Sequence, residues 1–216
     1  MNPQPIAIFG AGGQGREVFQ LLRQINTQTP QWTCVGWFDD GMAKGTLIDG
    51  LPVLGGVAEL NTWSEPLALV MAIALPKIKR KVVSLISNSQ IYFPVLVHPD
   101  VLWEPSEVSI GEGSIITQGC RLTVNIQIGR FVLLNLCTVL THDVVIGDFS
   151  SIMPSVNVSG AVQIGEACYV GTGTQIIQLL HIGHNSILGA GSVVTKDIPA
   201  NCTAVGMPAR PVKFHE

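Results

Sequence analysis

Residues 146–165 of the chain read IGDFSSIMPSVNVSGAVQIG, and an aliphatic residue occupies every sixth position of this stretch. The same spacing continues on both sides, so that every sixth residue from Ile110 to Val194 is Ile, Leu or Val. A period of six fits neither the 3.6-residue period of a helix nor the two-residue alternation of a simple strand. It is typical of a parallel β-helix built from hexapeptide repeats. We therefore predict that fold for the second part of the chain.

Three hexads make one coil of a triangular β-helix, so residues 18 apart in sequence should stack on each other. Glycines recur at this spacing, each directly after an inward aliphatic residue: Gly111, Gly129, Gly147, Gly165 and Gly183. Glycine there predicts tight corners that need both unusual backbone angles and close approach of neighbouring coils. The position two before each aliphatic is small or apolar, which suits the inside of a narrow prism.

The first part of the chain alternates apolar strands with amphipathic helices. Strands are predicted at residues 6–9, 34–38, 67–74 and 91–97. One helix begins near residue 15 with the apolar face Val18, Leu21, Leu22 and Ile25, and another begins at Pro76 with the face Ile78, Val82, Leu85 and Ile86. This order predicts a parallel sheet. We expect a Rossmann-like α/β domain over residues 1–98 and a β-helix domain with a C-terminal tail over residues 99–216.

Composition restricts the class of protein. The 216-residue chain is 47% hydrophobic and 12% charged, yet no apolar run is long enough to span a membrane. A net charge of −3 argues against a nucleic-acid partner. The first residues lack the basic and apolar regions of a secretory signal. Five scattered cysteines without a CxxC motif suit a reducing compartment, so we expect a cytoplasmic protein without membrane insertion.

His142 is the strongest candidate for chemistry on the outside of the prism. The 18-residue register places Val124 below it, and Gly160 and Gln178 above it. Glycine directly over an imidazole leaves room for a ligand, and Asp143 could hold the ring and raise its basicity, as a general base requires. Asn135 could bind a polar group of a substrate from the neighbouring edge of the prism.

No metal is expected. A zinc site on a β-helix needs histidines that converge from stacked coils, whereas glycine and glutamine stack on His142. The other histidines of the repeat region, His181 and His184, do not stack on it and are expected to be ordinary surface residues.

The segment Gly10-Ala11-Gly12-Gly13-Gln14-Gly15 fits the G-x-G-x-x-G pattern between a strand and a helix. Backbone amides at the helix start favour a phosphate, and Asp39 or Asp40 after the second strand could accept hydrogen bonds from a ribose or base. The pattern alone suggests a dinucleotide cofactor. The domain is only about half the usual size, however, so the nucleotide half of a substrate fits better, and a purely structural glycine turn remains an alternative.

The whole chain resembles the bacterial hexapeptide acyltransferases that include sialic-acid O-acetyltransferases and N-acetyltransferases of nucleotide-linked 4-amino sugars. The resemblance rests on five stretches: residues 9–15 (FGAGGQG), 38–40 (FDD), 97–99 (VHP), 141–149 (THDVVIGDF) and 205–209 (VGMPA). It implies a left-handed β-helix, a homotrimer and acetyl-CoA as co-substrate.

The resemblance also implies roles for particular residues. The general base would be His142, supported by Asp143, and Asn135 would lie in the sugar site. The nucleotide sugar would contact Gly12, Gly13, Gln14, Asp39 and Asp40. The coenzyme would contact Ser151, Gly160, Thr172 and Ala190, in a groove between two subunits. Two positions depart from the family pattern, because Gln14 and Ser151 stand where relatives can carry histidine; this leaves the sugar and one coenzyme contact open.

The leading hypothesis is transfer of acetyl from acetyl-CoA to an amine or hydroxyl of a nucleotide-linked sugar, most simply N-acetylation of a 4-amino sugar for surface glycan synthesis. One alternative is O-acetylation of a free sugar such as a sialic acid. Another is a non-catalytic protein that binds nucleotide sugars.

Overall fold

The computed structural model describes residues 2–215. Its contacts divide the chain into two compact units between Pro94 and Val95, a few residues before the predicted boundary after residue 98.

The first unit is a six-stranded sheet with three helices. Its strands stand in the order β3-β4-β2-β1-β5-β6, and all pairs are parallel except β3 with β4. The elements are β1 (Gln4–Phe9), α1 (Gly13–Gln28), β2 (Trp32–Phe38), β3 (Leu47–Ile48), β4 (Leu51–Gly55), α2 (Val57–Asn61), β5 (Leu67–Met71), α3 (Pro76–Leu85) and β6 (Ile91–Tyr92). The predicted Rossmann-like α/β architecture is confirmed.

The two long helices differ in how well their sequence predicted their buried face. In α1 the buried residues include all four that the periodicity indicated. In α3 the predicted face is only partly right: Val82 is buried and Ile86 is half-buried as expected, whereas Ile78 and Leu85 are exposed. Lys79 is buried in their place. Lys79 is only 2% exposed, and a lysine does not count toward the periodicity of apolar residues. Burial lowers the pKa of Lys79 to about 7.

The predicted strand at residues 91–97 is two strands in two different sheets. β6 ends at Tyr92 and pairs with β5, while β7 (Leu96–Val97) pairs with β9 (Ile115–Ile116) of the β-helix. Pro94 lies between them, and proline lacks the N–H that a continuous ladder would need. The hairpin β3–β4 and the short helix α2 were not predicted, because these segments are too short to show a period.

The second unit is a left-handed parallel β-helix with three faces. Face 1 is β8-β11-β14-β17-β20, face 2 is β10-β13-β16-β19-β22, and face 3 is β7-β9-β12-β15-β18-β21-β23 followed by the antiparallel β24. The strands after β7 are β8 (Val108–Ile110), β9 (Ile115–Ile116), β10 (Arg121–Leu122), β11 (Ile126–Ile128), β12 (Leu133–Leu134), β13 (Val139–Leu140), β14 (Val145–Ile146), β15 (Ser151–Ile152), β16 (Asn157–Val158), β17 (Gln163–Ile164), β18 (Tyr169–Val170), β19 (Gln175–Ile176), β20 (His181–Ile182), β21 (Ile187–Leu188), β22 (Val193–Val194), β23 (Cys202–Gly206) and β24 (Ala209–Phe214).

The six-residue aliphatic series forms the core of this unit. Every member from Ile116 to Val194 is at most 4% exposed, and only Ile110 at the end of the series is half-buried. Paired strands join residues 18 apart, for example Leu134 with Ile152 and Leu140 with Val158. The predicted stacking is therefore confirmed. Buried Ser and Thr hydroxyls donate to backbone carbonyl groups, as Ser150 does to Gly165 at 2.8 Å, so that the narrow interior leaves these polar atoms satisfied.

The corners use the left-handed backbone region at a position other than the predicted one. Every sixth residue from Gly113 to Gly191 has a positive φ, and most of these are not glycine, including Phe131 and Leu179. The glycines predicted to need unusual angles, such as Gly147, have no positive φ, so that part of the prediction is wrong. Close approach is confirmed, because a β-carbon at Gly147 would lie 2.6 Å from the backbone nitrogen of Glu166 in the next coil.

His98 gives the second unit a pH-dependent stability. It is 7% exposed, and its Nδ1 accepts the backbone N–H of Asp100 at 3.0 Å. Burial lowers its pKa, with the Asp100 carboxylate opposing that shift. Protonation of His98 is disfavoured in the folded state. The contribution of neutral His98 to the free energy of unfolding is therefore complete above the unfolded pKa of about 6.5, and it is lost as pH falls through the lower folded pKa.

We expect the melting temperature of the wild type to fall between pH about 7.5 and about 5, and that of His98→Gln to fall less, because glutamine does not titrate. Thermal unfolding across this range, at fixed protein concentration, measures the difference. Equal losses in both proteins would show that His98 does not contribute.

Candidate active site

His142 lies at the corner between face 2 and face 1, formed by residues 123–125, 141–144, 159–162 and 177–180; we call it the His142 corner. The residue follows β13 and precedes β14. Its side chain is 61% exposed and that of Asp143 is 49% exposed. Backbone hydrogen bonds to the coils above and below hold the turn, from Ala161 N–H to the His142 carbonyl (2.8 Å) and from Asp143 N–H to the Val124 carbonyl (3.1 Å). An accessible imidazole therefore stands on a fixed backbone.

The imidazole and the carboxylate of Asp143 form a pair. Nδ1 of His142 lies 2.8 Å from Oδ2 of Asp143. Hydrogen bonds from Asn125 and then from His142 hold the pKa of Asp143 below its ordinary value, so the carboxyl is ionised near neutral pH and can only accept. We therefore assign the ring proton to Nδ1. Nε2 then keeps an unprotonated lone pair, which is what a general base requires.

Gly160 stands directly against this ring, as the 18-residue register predicted. A β-carbon at Gly160 would overlap the imidazole of His142. Only glycine leaves the ring in its observed position, so the small residue is required by the histidine itself.

Asn135 lies at a different corner from His142. It belongs to the turns between face 3 and face 2, formed by residues 117–120, 135–138, 153–156, 171–174 and 189–192, which we call the Asn135 corner. Strand β13 separates the two residues along the chain. Asn135 is 3% exposed, and its Oδ1 accepts the N–H of Leu136 at 2.8 Å. The side-chain oxygen of Asn135 therefore already has a hydrogen-bond partner within the β-helix.

The four predicted coenzyme contacts fall in three places. Thr172 and Ala190 are exposed and stack on each other at the Asn135 corner, and the N–H of Gly191 donates to the Thr172 carbonyl at 2.8 Å. Gly160 lies at the His142 corner. Ser151 is on β15 of face 3 and is fully buried. The geometry groups Thr172 with Ala190 and sets Ser151 apart from them.

The glycines between Gly10 and Gly15, in the loop after β1 and the first turn of α1, have different reasons to be glycine. Gly10 has a φ of 102°, and a β-carbon at Gly15 would overlap the Gly10 carbonyl oxygen. These two are required by the fold. Gly12 and Gly13 have no positive φ, a β-carbon on either would meet no atom within 4 Å, and both are exposed. Neither backbone conformation nor packing within the described residues therefore requires glycine at these two positions.

The two aspartates after β2 connect the loop to the rest of the first unit. Oδ2 of Asp39 accepts the N–H of Ala11 at 2.9 Å, and its Oδ1 accepts the N–H of Gly41 at 2.8 Å. Oδ1 of Asp40 accepts the N–H of Val57 at the start of α2, at 2.8 Å. Half-buried Gln14 follows in the first turn of α1, where no acidic side chain is present. The N-terminal end of α1, where the helix dipole is positive, therefore has no negative side chain of its own turn to offset it.

Sequence reasoning missed Asn125. Its Nδ2 donates to Oδ1 of Asp143 at 2.6 Å. The two residues are 18 apart, so the register that located Gly160 above His142 could also have located Asn125 below Asp143.

Residues 2–215 contain no group of three or more His, Cys, Asp or Glu side chains arranged to hold a metal ion. His181 and His184 are exposed on face 1 and its adjoining turn. Within the same described range, no helix has the length and apolar character needed to cross a membrane.

Comparison with known proteins supports the resemblance stated from the sequence. The PglD N-terminal domain family matches residues 5–86. GDP-perosamine N-acetyltransferase of Escherichia coli O157:H7 is 34% identical over 213 residues, with 95% of each chain covered.

Two solved structures share the fold over the whole chain. A histidine-to-asparagine variant of perosamine N-acetyltransferase from Caulobacter crescentus, in complex with CoA and GDP-perosamine, has a TM-score of 0.88, 25% identity and 97% coverage of each chain. The acetyltransferase domain of PglB from Neisseria gonorrhoeae, in complex with acetyl coenzyme A, has a TM-score of 0.88 and 29% identity, and covers 98% of this chain and 100% of that one. The full-length similarity to the Escherichia coli enzyme shows that this chain belongs to the hexapeptide-repeat sugar acyltransferase family.

Proposed function

We propose that this acetyl-CoA-dependent acetyltransferase N-acetylates a GDP-linked 4-amino sugar that serves surface polysaccharide synthesis. The observation that carries the proposal is the His142–Asp143 pair, in which Nδ1 faces the carboxylate and Nε2 keeps its lone pair. The likeness to GDP-perosamine N-acetyltransferase supports the nucleotide and the amine.

The chemistry requires one general base. Acetyl-CoA, when bound, supplies the thioester carbonyl that the amine attacks and the thiolate that leaves. Nε2 of His142 accepts the proton that the amine loses as the N–C bond forms, and returns it to the sulfur as the C–S bond breaks. Asp143 holds Nδ1–H and stabilises the transient imidazolium. Positioning both substrates together makes a covalent enzyme intermediate unnecessary.

For nucleotide binding, we infer that the first unit contributes the backbone amides of exposed Gly12 and Gly13 and of half-buried Gln14. These lie at the start of α1, where backbone N–H groups attract a phosphate. Asp39 and Asp40 have carboxylate lone pairs beyond those already used by backbone N–H groups, and a guanine or ribose offers donors that match them. Asn135 is proposed to contact the sugar.

For the coenzyme, the exposed pair Thr172 and Ala190 and the glycine of the His142 corner, Gly160, are the proposed contacts. Gly173 and Gly191 next to the pair leave open space where a side chain would project, so an extended ligand fits along this corner. Ser151 has the weakest support, because it is buried.

We also propose that the protein is a homotrimer. The His142 corner exposes three large apolar side chains in the single chain: Val124 (45%), Ile177 (40%) and Leu179 (70%). Apolar groups around a reactive histidine are best explained by cover from a second copy, which would close the groove for the coenzyme. The five cysteines of the described chain are free thiols, which supports a cytoplasmic location.

The direct test is acetyl transfer from acetyl-CoA to a panel of GDP-, UDP- and dTDP-linked amino sugars and free sialic acid, measured by thiol release. We expect transfer to a GDP-linked amino sugar, and a loss in kcat of about 10²- to 10⁴-fold in His142→Ala with an unchanged melting temperature. His184→Ala, another exposed histidine, is the control and should match the wild type. Transfer only to a free sugar, or near-normal turnover without His142, would contradict the proposal.

Substitution of these glycines distinguishes residues needed for folding from residues needed for nucleotide binding. Gly12→Ala and Gly13→Ala should leave the melting temperature of the free protein almost unchanged, because a β-carbon meets nothing there. They should remove the rise in melting temperature that GDP produces in the wild type. Gly15→Ala should instead lower the melting temperature without nucleotide. A normal GDP response in both Gly12→Ala and Gly13→Ala would rule out this loop as the nucleotide site.

The trimer is tested by placing a charge on the apolar corner. Leu179→Glu should dissociate the trimer and abolish transfer, because a buried unpaired carboxylate is costly. Leu47→Glu is the matched control, since Leu47 on the first unit is also 70% exposed. Analytical ultracentrifugation measures the assembly. A monomeric wild type, or a trimeric Leu179→Glu variant, would show that this corner is not the interface.

A further inference from the structure

We propose that Asn125 is a positioning residue for the reaction, which fixes the carboxylate of Asp143 and through it the imidazole of His142. The inference rests on the proposed function, in which His142 is the base. Asn125 itself is not placed against either substrate.

The three side chains form a connected series. Asn125 Nδ2 donates to Oδ1 of Asp143 at 2.6 Å, and Oδ2 of the same carboxylate lies 2.8 Å from Nδ1 of His142. Each carboxylate oxygen therefore has a different partner, and rotation of the group would break one of the two bonds. Because both His142 and Asp143 are about half exposed, water competes for them. A second anchor is what keeps such a carboxylate in one orientation.

The backbone does not by itself require asparagine at this position. Asn125 has a φ of 54°, and asparagine tolerates this region well. The equivalent positions of other coils, however, hold residues such as Cys137, Ala161 and Leu179 with similar φ values. The choice of an amide at residue 125 is therefore explained by what it contacts.

The amide also fixes which carboxylate oxygen faces the imidazole. Its hydrogen bond is the largest cause that lowers the pKa of Asp143, but a carboxyl with an ordinary pKa is ionised near neutral pH as well, so Asn125 acts on His142 through the orientation of the carboxylate. An ionised Asp143 holds the proton of His142 on Nδ1 and leaves Nε2 as the base. An imidazole without such a partner carries its proton mainly on Nε2, where it could not accept one. Asn125 thus acts on the tautomer of the base.

Glycine is the informative substitution, because it removes the amide and keeps the left-handed backbone without strain. The chain offers a matched control. Asn185 has a φ of 56° and donates from Nδ2 to Oδ1 of Asn201 at 3.0 Å, at a corner that does not carry His142. Asn185→Gly removes the same kind of side chain from the same kind of position.

We expect Asn125→Gly to lower kcat about tenfold, with KM for both substrates within about twofold, because only the base is misoriented. Asn125→Asp keeps the size but adds a negative charge beside Asp143. It should lower kcat and move the acidic limb of the kcat/KM profile to higher pH, since that charge favours the imidazolium. Asn185→Gly should change neither quantity. Unchanged kcat in Asn125→Gly, an equal loss in Asn185→Gly, or an unmoved limb in Asn125→Asp would overturn the proposal.

A second measurement does not depend on turnover. Nitrogen NMR of histidine-labelled protein reports the tautomer of His142, with the signal assigned by its loss in His142→Gln. The wild type and Asn185→Gly should show Nδ1–H, and Asn125→Gly should shift toward Nε2–H. A wild-type tautomer in Asn125→Gly would refute the positioning role. The expected shift in a protein that transfers acetyl to no acceptor would refute the proposed function and leave the positioning geometry intact.

Discussion

The backbone ladder between residues 18 apart is the constraint on which the second unit depends. Each strand pairs with the strand one coil above and below, and the corners are joined in the same way, as Ala161 is to His142 at 2.8 Å. This ladder is parallel on all three faces and leaves no freedom of register, because a slip would move aliphatic side chains out of the core. The positions of the candidate site residues follow from it: Gly160 above His142 and Asn125 below Asp143 are consequences of the same repeat.

The ladder also makes unfavourable local conformations tolerable. A left-handed backbone conformation costs a residue other than glycine about 1 kcal/mol or more. In the β-helix every sixth residue from Gly113 to Gly191 has this conformation, and most of these residues are not glycine. Stacked backbone hydrogen bonds and an apolar core compensate for this cost over the whole coil. Because the fold accepts many residue types at these corners, the particular choice of Asn125 and Asp143 is free to serve chemistry.

Glycine has three separate uses in this protein, and the distinction connects structure with function. Gly147 and its equivalents admit the backbone of the next coil, and Gly15 admits the Gly10 carbonyl, so these glycines build the fold. Gly160 makes room for the imidazole of His142. Gly12 and Gly13 have no steric reason within the fold, and for that reason they carry the proposal of a nucleotide site.

The sequence by itself determined the β-helix, its 18-residue register, the α/β class of the first unit and the stacking of Gly160 on His142, because each follows from a period that repeats over many residues. Tertiary structure decided the rest. Pro94 divided one predicted strand between two sheets, Lys79 replaced Ile78 on the buried face of α3, and the positive φ angles fell elsewhere than on the predicted glycines. The tertiary structure also decided the side-chain contact of Asn125 with Asp143. A sequence period determines which backbone positions stack, but not which atoms of their side chains meet.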